Sequence, residues 1–147
     1  MATEPVLRDA CSDLVVYAAR LTRAVRRRHD STAGLRVLSL LDQHGALGIT
    51  QLATLDRCSQ PTMSAAVALL VERGWVAKEP HPSDRRGSVV ELTATGQDEL
   101  ARLRRVNGEL VADRLTTTDH TATEVAAAVA LLRDLLDNDT EIPEGTL

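Results

Sequence analysis

The sequence predicts a mainly α-helical fold with one small two-stranded β wing. Three observations indicate this class. Apolar residues recur at helical spacing near both ends of the chain, and a short helix is followed closely by a longer one near the middle. Two strand-like segments then flank a loop that contains two prolines and a glycine.

The first half of the chain is predicted to contain four helices. Apolar positions from Val6 onward predict a first helix of about 20 residues. A second helix fits residues 32–44, with Gly45 at its end. Thr50 is predicted to cap a short third helix over residues 51–56.

The fourth helix has clear signals at both ends. Ser59 is predicted as its N-cap, and Pro61 falls in the first turn, where a missing N–H costs little. The helix continues to Arg73, and Gly74 supplies a left-handed C-terminal stop.

The second half is predicted to contain a hairpin and two helices. Strands at 75–79 and 88–92 are separated by the eight-residue tip "PHPSDRRG". Thr93 opens a long helix to about Leu115, and "TATE" at 121–124 is a capping box for a last helix. The tail, residues 138–147, is predicted to be irregular.

Composition indicates a single-domain cytoplasmic protein. Apolar residues make up 44% and charged residues 26%, with one Trp, one Tyr and no Phe. No apolar stretch approaches the roughly 18 residues of a membrane helix, and the N-terminus does not resemble a signal peptide. Two cysteines form no disulfide framework.

The net charge of −4 is unevenly distributed. Residues 1–29 carry six basic and three acidic groups, and residues 57–86 carry five and three. Residues 109–147 carry two basic and nine acidic groups. A basic surface around the hairpin is therefore predicted despite the acidic total.

A short helix, a turn, a longer helix and a hairpin form the winged helix-turn-helix arrangement. Its fourth helix fits the major groove of DNA, and its hairpin reaches the neighbouring minor groove. An arginine at the hairpin tip suits a narrow minor groove, where the negative potential is strongest. A nearby aspartate can hold that arginine extended.

The segments "SDRRG" and "SVVELTATG" resemble the wing signature of the multiple antibiotic resistance regulator (MarR) family, and the sequence upstream follows the same pattern. The resemblance implies a transcription factor, most simply a repressor of nearby genes, without a cofactor. It also implies a homodimer on a pseudo-palindromic operator and release by a small-molecule effector. Within 1–147, residues 31–92 would form the DNA-binding region, and residues 4–29 and 93–137 the intertwined dimerisation helices.

The resemblance assigns Arg86 to the minor groove, Asp84 to its tethering and Arg85 to a phosphate. On the recognition helix it implies DNA contacts by Ser59, Gln60, Pro61, Thr62 and Ser64. Residues 63–68 lack the arginine or lysine that many members carry, so we expect phosphates and the wing to supply much of the affinity. The scarcity of aromatic residues argues against an aromatic effector.

Several single residues have a second interpretation. Cys58 is predicted to pack in the helix-turn-helix core, with redox sensing as the alternative for Cys58 and for Cys11 on the first helix. The basic run 23–29 is interpreted as a solvated helix end, with backbone contacts to DNA as the alternative. The four histidines show no zinc-binding spacing: His29, His44, His81 and His120.

The sequence also bears on two other classes of function for the whole chain. No catalytic motif supports an enzyme. A winged-helix protein-interaction module with little DNA specificity is the stronger alternative, because the recognition helix is rich in alanine.

Overall fold

The computed structural model describes residues 3–28 and 32–137; His29 and the predicted irregular tail lie outside these ranges. Within them the chain is mainly helical with one small antiparallel sheet, as predicted. The elements in order are α1 (Thr3–Arg26), α2 (Thr32–His44), β1 (Leu47–Gly48), α3 (Ile49–Asp56), α4 (Gln60–Glu72), β2 (Val76–Pro80), β3 (Ser88–Leu92), α5 (Ala94–Leu115) and α6 (Ala122–Asp137).

The sheet has three strands in the order β1-β3-β2. The predicted hairpin is β2 and β3, which pair antiparallel from Val76 opposite Leu92 to Pro80 opposite Ser88. Because Pro80 still belongs to the ladder, the tip spans 81–87 and is one residue shorter than predicted. The two-residue strand β1, which pairs Leu47 with Val90, was not predicted.

The predicted Thr50 cap was wrong. Pairing of β1 with β3 leaves Gly48 extended, with φ −72° and ψ 160°, so that α3 begins two residues earlier than expected. The Gly48 N–H donates to Oε1 of Gln51 at 3.0 Å, which satisfies this end of the helix. The glycine stops were predicted correctly: φ is +78° at Gly45 and +74° at Gly74.

The chain divides into two compact units, one up to Leu110 and one from Val111. The core of the first unit brings together α2, α3, α4, the sheet and the start of α5. Its buried members are Val37, Leu38, Leu41, Leu47, Leu52, Ala53, Met63, Val67, Leu70, Val76, Val90 and Leu100. This core fixes the helix-turn-helix against the sheet that carries the hairpin.

An ion pair joins α2 to α3 at the edge of this core. The Arg36 guanidinium donates two hydrogen bonds to the Asp56 carboxylate, at 2.6 and 3.1 Å, and the Asp56 side chain is only 9% exposed. Donation to this carboxylate raises the pKa of Arg36, so the guanidinium remains charged. The bidentate geometry holds the end of α3 in one orientation.

The Leu-Thr-x-x-Gly segment joins the hairpin to α5. The Thr93 hydroxyl donates to the Gly74 carbonyl at 2.6 Å and accepts the Gly96 N–H at 3.0 Å, which caps α5. The Thr93 N–H donates to the Trp75 carbonyl at 3.1 Å. Gly96 is buried against this carbonyl, so the start of α5 is held on the end of the recognition helix.

The second unit contains the end of α5 and all of α6. The predicted capping box is confirmed: the Thr121 N–H donates to Glu124 Oε2 at 2.7 Å, and the Glu124 N–H donates to Thr121 Oγ1 at 3.3 Å. The Thr121 N–H, followed by His120 and the Thr121 hydroxyl, lowers the pKa of Glu124. In the described ranges no helix has the length and apolar character to cross a membrane.

Candidate nucleic-acid interface

The first turn of α4 presents polar groups on a capped helix end. Ser59 is the N-cap, and its Oγ accepts the Thr62 N–H at 3.3 Å and lies 2.8 Å from the Thr62 hydroxyl. Pro61 lies in the first turn, as the sequence predicts. The positive dipole end of this helix favours an anion, although Pro61 and the Ser59 cap leave few free N–H groups in the first turn.

One face of α4 is buried in the core, and the opposite face is exposed to solvent. Met63, Val67 and Leu70 pack into the core. Predicted contact residues Ser59, Gln60, Pro61, Thr62 and Ser64 are all exposed. The structure therefore brings all five predicted helix residues to the open side of this helix. Ala65 and Ala68 are also exposed and leave this side without a long basic side chain.

The turn before α4 is closed by a Schellman motif. Cys58 N–H donates to the Ala53 carbonyl at 3.0 Å, and Arg57 N–H donates to the Thr54 carbonyl at 3.2 Å. Arg57 itself is left-handed, with φ 53° and ψ 45°. Cys58 is half-buried and packs against the core cluster.

The other cysteine, Cys11, is an exposed thiol on α1. Both cysteines are free, so no disulfide joins them. Within the described ranges, no group of three His, Cys, Asp or Glu side chains could hold a metal ion.

The wing tip is held by a histidine that the sequence analysis did not assign to the site. His81 N–H donates to the Gly87 carbonyl at 3.0 Å. The Nδ1 atom of the same residue accepts the backbone N–H groups of Ser83 and Asp84, each at 3.1 Å. His81 therefore fixes both sides of the loop. The ring meets those amides only in the folded loop, so the sequence spacing did not predict the role of His81.

Asp84 makes a different contact from the one expected. Its Oδ1 accepts the backbone N–H of Arg86 at 3.0 Å and forms no ion pair with the Arg86 guanidinium. Both Arg85 and Arg86 are exposed, and no carboxylate of the described chain pairs with either. Asp84 shapes the loop, and the two guanidinium groups stay available.

The wing and the recognition helix belong to one body. Both lie in the unit that ends at Leu110, and α4 packs against β2. A polar helix end and a cationic loop are thus presented by one packed core. This combination suits the grooves and phosphates of duplex DNA.

Comparison with known proteins identifies the family. The MarR family profile matches residues 31–88. The chain is 31% identical over 131 residues to the uncharacterized HTH-type transcriptional regulator Mb0904 of Mycobacterium bovis, covering 86% of this chain and 92% of that protein.

Solved structures of this family have the same fold. The multiple antibiotic resistance repressor MarR superposes with a TM-score of 0.66 at 26% identity, covering 82% of this chain and 90% of that one. A mutant of Escherichia coli MarR complexed with operator DNA gives a TM-score of 0.56 at 26% identity, covering 88% and 93%. The chain therefore belongs to the MarR family of helix-turn-helix transcriptional regulators.

Proposed function

We propose that this chain is a homodimeric repressor that binds a pseudo-palindromic operator near its own gene, with one winged domain on each half-site. The observation that carries the proposal is the pairing, on one core, of an exposed polar helix start with a wing whose two arginines have no carboxylate partner in the described chain. The similarity to a MarR structure that contains operator DNA supports it.

The wing contacts follow from the geometry of the loop. Arg86 extends into the minor groove, and the Asp84 carboxylate fixes its backbone through the 3.0 Å hydrogen bond. Arg85 neighbours it on the same exposed turn and contacts a phosphate. Unpaired guanidinium groups lose no existing ion pair when they meet DNA.

The helix contacts divide between bases and backbone. Gln60 is exposed in the first turn and can read an adenine edge in the major groove with its amide. The hydroxyls of Ser59, Thr62 and Ser64 contact phosphates, and Pro61 pre-forms the first turn. Since this face carries no long basic side chain, sequence preference comes largely from Gln60 and from groove shape.

Dimerisation would cover apolar surface that each terminal helix exposes. On α1, Val6 is 68% and Val15 is 69% exposed. On α6 no residue is buried, and Leu135 and Leu136 are 58% and 81% exposed. Burying one such side chain stabilises an assembly by about 1.5–3 kcal/mol. We propose that a second copy covers these faces, as the family resemblance implies.

Regulation by a small-molecule effector completes the proposal. We propose an effector that releases the operator, as the family resemblance implies. An effector would act by binding the DNA-competent and DNA-free states with different affinity.

The test is DNA binding by the purified protein. Labelled duplexes that tile the DNA around its own gene are titrated by fluorescence anisotropy across a salt series, beside a random duplex. We expect one duplex to bind far more tightly than random DNA, with log K falling linearly with log salt at a slope of about −0.9 per phosphate contacted. Light scattering should give twice the chain mass.

Two results would contradict the proposal. Equal affinity for every duplex with a shallow salt slope would favour the winged protein-interaction module instead. A monomer mass at all concentrations that bind DNA would exclude the dimer.

A further inference from the structure

One residue of the helix-turn-helix has a backbone conformation that its side chain disfavours. Arg57 is the sole non-glycine residue with positive φ in the described chain, at φ 53° and ψ 45°. The Schellman motif at the end of α3 requires this conformation, and glycine adopts it without steric strain. The backbone therefore gives no reason for an arginine here.

The side chain of Arg57 is exposed and has no carboxylate partner in the described chain. Its neighbour Asp56 is engaged by both hydrogen bonds from Arg36 and is almost buried. Residues 57–71 contain no other charged side chain. Arg57 is thus the one formal charge across the turn and nearly all of the recognition helix.

Arg57 lies close along the chain to the start of the recognition helix α4. It precedes the N-cap Ser59 by two residues, so their Cα atoms are at most about 7 Å apart. The exposed Arg57 side chain can therefore reach a phosphate that lies against the first turn of α4. There Pro61 has no N–H and Ser59 caps the Thr62 N–H, so the Gln60 N–H and the positive helix end remain for an anion. The guanidinium and this helix end both attract a phosphate.

We propose that Arg57 binds a phosphate of the operator backbone beside the N-terminus of the recognition helix. The inference rests on the proposed DNA-binding function and adds a contact outside the wing. In a helix that lacks its own basic side chain, this contact fixes the register of α4 on the duplex. It carries no base information, so it supports operator and random DNA alike.

The experiment compares wild type, Arg57→Gly and Arg57→Lys by anisotropy across a salt series, on the bound duplex and on a random one. Arg57→Gly removes the charge and suits the left-handed turn, so its thermal midpoint should equal or exceed that of wild type. Loss of one phosphate contact reduces the salt slope by about 0.9 per protomer and the affinity roughly fivefold per protomer at 0.15 M salt. Arg57→Lys keeps the charge and should keep most of the slope.

Two outcomes would overturn the inference. One is an Arg57→Gly protein that binds with the wild-type affinity and salt slope. The other is an Arg57→Lys protein that loses as much slope as Arg57→Gly, since a phosphate contact needs only the charge. Absence of DNA binding by wild type would instead refute the proposed function itself, so the two failures are distinguishable.

Discussion

Gly96 is the position in α5 where an added methyl group should do most harm. A Cβ atom there would lie 1.8 Å from the Trp75 carbonyl oxygen and 2.8 Å from its carbonyl carbon. Real Cβ atoms do not approach such neighbours within 3.0 Å. Gly96→Ala must therefore displace backbone by more than an ångström at the joint between α4, the wing and α5.

The cost follows from what that displacement disturbs. The Trp75 carbonyl accepts the Thr93 N–H, and the Gly96 N–H donates to the Thr93 hydroxyl. Overpacking typically costs 1–3 kcal/mol, and each weakened hydrogen bond adds about 1 kcal/mol. Because backbone atoms cannot rotate away as a side chain can, we expect Gly96→Ala to lower the free energy of unfolding by about 3 kcal/mol or more.

Gly108 provides a matched control in the same helix. A Cβ atom there meets nothing within 4 Å, so Gly108→Ala should raise the free energy of unfolding by up to about 1 kcal/mol through helix propensity. Urea unfolding followed by circular dichroism, at one protein concentration, measures both variants. A Gly96→Ala protein as stable as wild type, or equal losses in both variants, would refute the steric reasoning.

Two further predictions concern the wing and the last helix. His81→Phe removes the acceptor of two loop amides and should weaken DNA binding by about 1 kcal/mol, roughly fivefold. The urea unfolding curve should not change. An unchanged affinity for DNA would contradict this prediction. The pKa of Glu124 is lower in the folded protein than in the unfolded chain, where it is about 4.3. The capping contact of Glu124 therefore stabilises the fold above the unfolded pKa, and this stabilisation is lost as pH falls through the folded pKa. Urea midpoints between about pH 6 and pH 3 should fall less for Glu124→Gln than for wild type, and parallel curves would argue against the capping contribution.

The helix ends that local chemistry specifies could be predicted from the sequence. Ser59 and Gly74 act through contacts within a few residues of themselves, and both behave as predicted. The start of α3 depends on a partner far along the chain, because β1 pairs with β3. A two-residue strand has no periodicity to detect, so the cap was assigned to Thr50 in error.

The sequence also predicted which residues form the candidate site, but it did not predict which contacts they make. The pattern around Asp84 and Arg86 indicated the wing, yet whether the carboxylate meets a guanidinium or a backbone amide depends on loop dihedral angles. The role of His81 follows from the same folded loop. Glycine normally marks a left-handed turn in a sequence, but position 57 carries an arginine. The left-handed conformation of Arg57 therefore became visible only in the structure.

The central claim is that the wing reads the minor groove through Arg86. The most direct measurement is a double-mutant cycle of binding free energies. It compares wild type and Arg86→Ala on two duplexes: the operator, and the operator with the A·T pairs under the wing replaced by G·C. Wild type should lose about 1–3 kcal/mol on the replaced duplex, because the wider groove weakens the potential around the guanidinium. Arg86→Ala should bind both duplexes with nearly equal affinity. The account would be contradicted if the binding free energies lost through Arg86→Ala and through the base replacement simply added. An Arg86→Ala protein that binds like wild type would also contradict it.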